Sequence, residues 1–245
     1  NLKGFKVLEK WLKTFKINYT DILFCMEHTG LYNLLLLNFL KDKNTSIWLE
    51  SAIHIKRSMG LVRGKNDKID AERIAQYASK NLENINLWQP KRAVVEKVKA
   101  LITLRENIIS QIKQINVPMN EYKAFGDKEI AKTLNKHTKP IDKILRKQIA
   151  NIEIEINELI QQDEALNKLF GILISIPGIG KVTAWMFIVH TNEFKMFVSA
   201  RSLACHSGVA PFESSSGLVQ GKAKVSHLAN KKLKTALHMA SLTAV

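Results

Sequence analysis

Apolar residues recur every seven positions in two separate stretches of this chain, and no other feature narrows its folds as far. Val94, Leu101, Ile108 and Ile115 form the first series, with Val98 and Ile112 on companion positions and Arg105 between them. Leu145, Ile152, Leu159 and Leu166 form the second, with Ile149, Ile156 and Phe170 interleaved. A seven-residue period draws one apolar seam along a helix, and that seam requires a partner. Pro118, Gly126 and Pro140 lie between the two series, so a break is expected there, with a polar loop joining two helices over residues 91–170. An extended coiled-coil arm and a helical hairpin packed on the rest of the chain both satisfy the spacing. Arg105 at a seam position suits a wetter, exposed pairing.

The flanking regions follow other patterns, and together they predict an α/β plus all-α chain with regions 1–90, 91–170 and 171–245. In the first, Leu2, Phe5, Leu8, Leu12 and Phe15 have helical spacing, whereas Asp21–Met26 and Thr45–Leu49 are short apolar runs of strand type around a helical Leu31–Leu40. Such alternation favours a sheet with crossover helices. A further helix is expected after Lys65, capped by Asn66 or Asp67, and Pro90 closes the region. In the last region, Ser175–Trp185 (SIPGIGKVTAW) reads as a tight turn running into a helix, the pattern of a helix-hairpin-helix. A second helix is expected at Phe197–His206, a polar mobile loop at Gly208–Gly221, and a basic helix at Leu228–His238.

Charge limits the partners. The 245 residues carry 37 lysines and arginines against 22 acids, a net +15, while 46 % hydrophobic residues suffice to fill a core. The excess is densest in residues 171–245, where eight basic residues meet two acids. Lys222, Lys224, Lys231, Lys232 and Lys234 have only Glu213 nearby in sequence, which suits contact with nucleic-acid phosphates as well as a solvated face. Gly178 and Gly180 in the turn would let backbone N–H groups approach a phosphate at a helix start, with Lys181 adding charge, although a plain helical corner also needs glycine. The longest apolar runs fall far short of the roughly 20 residues of a membrane span. Two cysteines 180 residues apart give no disulfide framework, so a reducing, cytoplasmic setting is expected.

Four residues stand out for chemistry. Glu27 ends the first strand run, at the edge where α/β sheets place their sites. Asp67 and Asp70, three apart on a helix, project from one face and suit a hard cation such as Mg²⁺, or serve only as cap and acidic first turn. Ser216, in the Ser214–Ser216 run before Gly217, offers a nucleophile that a metal or base would have to activate.

Four segments, Met26–Tyr32 (MEHTGLY), Gly64–Ala78 (GKNDKIDAERIAQYA), Ser175–Ala184 (SIPGIGKVTA) and Gly208–Gly217 (GVAPFESSSG), carry a resemblance in their order and spacing. The chain resembles the insertion-sequence transposases with an Asp-Glu-Asp-Asp RuvC-like domain and a C-terminal serine transposase domain, the bridge-RNA-guided recombinases. The resemblance implies an RNase H-like first domain, a coiled-coil linker and a helical second domain. It makes Glu27, Asp67 and Asp70 the second, third and fourth metal-binding acids, with Mg²⁺ as cofactor. It makes Ser216, or Ser215 one register away, the residue that forms a covalent phosphoserine link to DNA. It further implies a guide RNA on the basic surface, a dimer or tetramer that joins domains of different protomers, and a prokaryotic, nucleoid-associated location. The family's first acid lies upstream of the helix at Leu2, and its members continue beyond a segment like Leu233–Val245. A chain short at both ends, poor in Mg²⁺ affinity and inactive in strand exchange is therefore expected. A RuvC-like junction nuclease and a non-catalytic nucleic-acid scaffold are the alternative readings.

Overall fold

The computed structural model describes residues 2–60, 64, 66–197, 199–216, 219–226 and 228–244. These divide into two compact units, 1–90 and 91–245.

In the first unit, helix α1 (Leu2–Thr14) turns Leu12 inward and stacks Phe5 on Phe39, with ring centroids 4.4 Å apart. Strand β1 (Leu23–Glu27) leads through a short 3₁₀ turn at Gly30–Asn33 into helix α2 (Leu34–Asp42), and the chain returns as β2 (Ser46–Glu50). The two strands are parallel, with Leu23 beside Ser46 and Glu27 beside Glu50. A parallel pair needs a crossover, and α2 supplies it while burying Leu37 and Leu40 against Ile47, with Phe24, Met26 and Leu49 alongside. Helices α3 (Ala52–Ser58) and α4 (Asp67–Lys80) follow. Helix α3, between the second strand run and the acidic helix, is not among the elements expected from the residue pattern. Asn66 caps α4, its side-chain oxygen accepting the Ile69 N–H at 2.8 Å. After α4, Trp88 N–H donates to the Ile47 carbonyl at 2.7 Å, tying the end of the unit to β2.

In the second unit the two heptad series lie on α5 (Ala93–Phe125) and α6 (Lys128–Gln161), which pack together as a hairpin. The expected breaks at Pro118 and Pro140 do not occur, because both prolines lie inside helices. A proline removes one backbone donor, and a helix of more than thirty residues held along a partner tolerates that loss. The chain reverses only at Gly126–Asp127, where Asp127 caps α6 by accepting from Glu129 and Ile130 N–H. The deepest seam positions of α5 are Val98, a companion position of the first series, and Val95 and Ile102, each one residue past the Val94–Leu101 line; they share a core with Ile152, Ile156 and Ile160. Arg105 enters the seam and is answered by Glu153 of α6 at 2.7 Å. Toward the turn the apolar residues come out of the core: Phe125, Ile130, Ile141 and Ile144 are all exposed.

The inner half of this hairpin shares its core with α7 (Glu164–Ile174), α8 (Lys181–His190) and Leu233 of the last helix, around Trp185 and Ile188. Helix α9 (Ala200–Ser207) starts at a reciprocal Ser199–Ser202 capping box, later than the Phe197 start read from the sequence. The expected loop at Gly208–Gly221 is instead an antiparallel β-hairpin, β3 (Pro211–Ser216) and β4 (Val219–Val225). Its low-propensity serines and glycines hide the strands, whose backbones gain their stability from each other. Helix α10 (Lys231–Ala244) ends the described chain. Among the described residues no helix is long and apolar enough to cross a membrane.

Candidate functional site

Glu27 is the last residue of β1, and its backbone is pinned where the strand turns. Its carbonyl accepts from Asn33 Nδ2 at 3.0 Å, and His28 N–H donates across to the Glu50 carbonyl at 2.9 Å. Glu50, level with Glu27 on β2, is a residue the sequence reading missed. Its carboxylate accepts from Ser51 N–H at 2.7 Å and Tyr77 Oη at 3.1 Å, and pairs with His54 Nδ1 at 2.8 Å. Burial, then the bond to Glu50, pushes the Tyr77 hydroxyl above its ordinary range. Tyr77 lies on α4, so Glu50 ties the acidic helix to the end of the sheet. The signal was there: both strand runs, LFCME and SIWLE, end in glutamate. Cys25, two residues before Glu27, is pushed up to about 11 by burial and then by Glu50, and is inert as a thiolate at neutral pH.

Asp67 and Asp70 occupy the first turn of α4, Asp67 exposed and Asp70 partly covered. Asp70 is held by Arg73 at 3.1 Å, which also donates to the Gly64 carbonyl. Glu27, Asp67 and Asp70 offer the hard oxygen donors that Mg²⁺ prefers, but a donor set must also converge. Among the described residues no three His, Cys, Asp or Glu side chains gather closely enough to hold an ion. The structure thus brings the three acids into one unit, with α4 packed on β1, without closing them into a cage.

In the second unit the turn between α7 and α8 has a different basis from the one its glycines suggest. Gly178 adopts φ +84°, and a β-carbon there would stand 2.2 Å from the Ala240 carbonyl oxygen of α10. Thr243 Oγ1 donates to the Gly178 carbonyl at 3.1 Å. Gly178 is therefore required by close packing of the turn on α10, before any phosphate is considered. Gly180 has open space around it and starts α8 without a side-chain cap, so the first N–H groups of that helix can receive an anion. Lys181 is exposed and borders a hollow lined by Glu153, Asn157 and Trp185.

Ser216 ends β3 beside Val219 of β4, with Gly217 and Leu218, which lie outside the described residues, between them. Ser215 is exposed; the Ser216 side chain is not among those described, and His227 also lies outside. His206 is lowered by burial and lies with its ring 5.2 Å from Phe197. Lys222 and Lys224 are exposed on β4, where Lys222 and Ala223 together face Glu213 in a bulge. Lys231 is exposed at the start of α10. Lys232 differs, because Glu106 of α5 holds its ammonium in an ion pair that sequence distance concealed. Nearby, His190 is pushed down to about 4 by burial and then by Lys232 and Lys91, and stands 3.4 Å from Asn230 Nδ2.

Comparison with known proteins adds the following. Residues 171–245 match the Transposase IS116/IS110/IS902 family, and residues 3–120 match a DEDD-type IS110 transposase model described as Transposase. The pilin gene-inverting protein of Moraxella bovis is 28 % identical over 243 residues, spanning 98 % of this chain and 72 % of its own. The transposase for insertion sequence element IS1328 of Yersinia enterocolitica is 25 % identical over 175 residues, 62 % of this chain and 51 % of its own. That for IS1111A of Coxiella burnetii is 26 % identical over 194 residues, 71 % and 53 % respectively.

Proposed function

We propose that this chain is an IS110-family transposase, an enzyme of DNA transposition and recombination, and that it cuts and rejoins strands of an insertion sequence by phosphoryl transfer through Ser216. The observation that carries this reading is the shared unit of Glu27 and the Asp67–Asp70 helix, with Glu50 and Tyr77 joining the sheet end to that helix. The name of the Moraxella relatives, gene-inverting, favours strand exchange over simple hydrolysis.

In this reading Ser216 Oγ attacks the phosphorus of a phosphodiester. The bond from phosphorus to the departing deoxyribose oxygen breaks, the serine proton passes to that oxygen through solvent, and a phosphoserine joins protein to strand. Attack by a deoxyribose hydroxyl on the phosphoserine restores a phosphodiester and frees the serine. Glu27, Asp67 and Asp70 are the residues that would hold Mg²⁺, which when bound neutralises charge on the phosphoryl oxygens. Gly180, Lys181, Lys222, Lys224 and Lys231 take backbone phosphates of DNA and of a guide RNA, Lys232 contributes less because Glu106 already pairs with it, and Gly178 serves by closing the turn. A helix-hairpin-helix at α7–α8, an RNase H-like first domain and assembly as a dimer or tetramer belong to the same proposal.

The test is a covalent trap. Nicked duplexes of the element's own ends, incubated with the protein and Mg²⁺, should leave a DNA–protein adduct that Ser216→Ala abolishes and Ser215→Ala retains. Cleavage without an adduct, surviving Ser216→Ala, would replace this mechanism with hydrolysis by water.

A further inference from the structure

We propose that Tyr32, flanked by Leu31, is a stacking platform for one unpaired nucleobase at the Glu27 end of β1. The inference rests on the reading that this chain handles DNA, and goes beyond it by naming the contact. Tyr32 is 92 % exposed and Leu31 80 %, and no other large apolar residue among those described is as exposed as Tyr32. Neither belongs to the apolar cluster that α2 builds with Ile47, and Tyr32 makes no hydrogen bond or ring contact among the described residues.

The turn that presents them is tightly made. Asn33 donates to the Glu27 carbonyl at 3.0 Å, while its side-chain oxygen accepts from both Thr29 N–H, at 2.6 Å, and Thr29 Oγ1. Gly30, at φ +69°, lets the chain reverse inside this lock. Because the turn is already fixed, only the side-chain torsions of Tyr32 have to be ordered when a flat partner covers its ring.

The size of the patch selects the partner. Leu34 and Leu35 extend it, at 46 % and 67 % exposed, yet four side chains cannot supply the roughly 800 Å² per partner of a stable protein interface. One phenol ring does match one base, and stacking needs only a π-face, whatever the base. Residues 1–90 carry fourteen lysines and arginines against nine acids, so the unit that presents Tyr32 itself attracts a polyanion, and an enzyme that exchanges strands must at some point hold bases unpaired.

Two duplexes of equal length test this at fixed salt, one fully paired and one carrying a single unpaired 2-aminopurine. Tyr32→Ala should weaken binding of the unpaired-base duplex by about 5- to 100-fold, leave the paired duplex within about twofold, and abolish quenching of the fluorescent base. Tyr32→Phe and Tyr32→Trp should stay near the parent, and thermal unfolding should be unchanged in all three. Equal loss on both duplexes, no loss on either, or a Phe variant as weak as Ala would overturn the platform while leaving DNA binding intact. A change of sedimentation coefficient in Tyr32→Ala would overturn it in favour of a protein contact. Failure of the parent to bind either duplex would overturn the DNA reading itself.

Discussion

Arg92→Ala removes a guanidinium that fastens three elements of the second unit. Arg92 precedes α5 and grips Asp163 with bonds of 2.6 and 3.1 Å and Glu193 with bonds of 2.6 and 3.1 Å. Asp163 also caps α7 by accepting from Leu166 N–H at 3.0 Å. Glu193 sits in a run of three left-handed, non-glycine residues, Asn192, Glu193 and Phe194, at φ +50°, +59° and +62°. At about 1 kcal/mol each, such a run stores roughly 3 kcal/mol of strain. Thr191 resists its release, donating to the Phe187 carbonyl at 2.6 Å and accepting Phe194 N–H at 2.9 Å. The Glu193 side chain is only 7 % exposed, so without Arg92 it keeps Lys195 alone as ionic partner. Breaking a fully buried pair costs about 3–5 kcal/mol, but the Arg92 side chain is 36 % exposed and water recovers part of that. The expected loss is about 2 kcal/mol, or roughly 4–8 °C in Tm for a unit of this size, and about 1 kcal/mol for Arg92→Lys, which keeps charge without the fork. Arg92 bonding, then the Leu166 N–H, holds Asp163 below the usual carboxylate range. For Glu193, burial alone would raise the carboxyl, and the bonds to Arg92 and Lys195 reverse this to a net lowering. Folded values below unfolded ones mean stabilisation that is present at neutral pH and lost as pH falls through the folded values. The gap between parent and variant in urea and thermal unfolding should therefore be widest near pH 7, begin to narrow as pH falls through the ordinary carboxylate range, and close only below it, as the two lowered carboxyls protonate in the folded state. A variant within about 0.5 kcal/mol of the parent at pH 7, or a deficit that persists in acid, would refute the clamp.

Gly178→Ala should destabilise by about 2–4 kcal/mol in urea unfolding, since it meets both a left-handed φ and the Ala240 carbonyl, whereas Gly180→Ala should stay within about 0.5 kcal/mol. Lys222→Gln with Lys224→Gln should reduce the slope of log Kd against log salt for duplex DNA by about 2; Lys232→Gln should change it by less than about 1, because Glu106 already neutralises that ammonium. His190 has a folded value of about 4 against 6.5 unfolded, so between those values the unfolded chain binds the extra proton and stability falls as pH drops. His190→Gln should flatten that part of the Tm–pH profile.

What the sequence could show depended on whether a residue's partner lay within a few positions. Heptads, strand runs and the Asn66 cap are local, and each predicted the right kind of element. Pro118 and Pro140 misled because proline is a local breaker, while the pairing of α5 with α6 that overrides it joins residues on different helices. The hairpin at β3–β4 was hidden for the same reason: Ser214, Ser215 and Ser216 have little strand preference of their own and are strands because Val219, Gln220 and Gly221 lie beside them. Charge behaved likewise. Lys232 looked uncompensated because Glu106 is 126 residues away, and Glu50 looked ordinary because its level with Glu27 exists only once β1 and β2 align. Gly178 shows the converse, a residue rightly marked as special whose demand comes from Ala240, 62 residues further along on α10. The acids of the first unit fall between these cases. Local spacing marks Asp67 and Asp70 as a pair, but what aims their helix at the sheet end is the Tyr77–Glu50 bond between distant residues. Glu50→Ala, which removes the oxygen that accepts from Tyr77, should therefore loosen α4 more than either aspartate substitution does, as faster amide exchange in α4 would report, although in the sequence only the shared glutamate ending of LFCME and SIWLE marks Glu50.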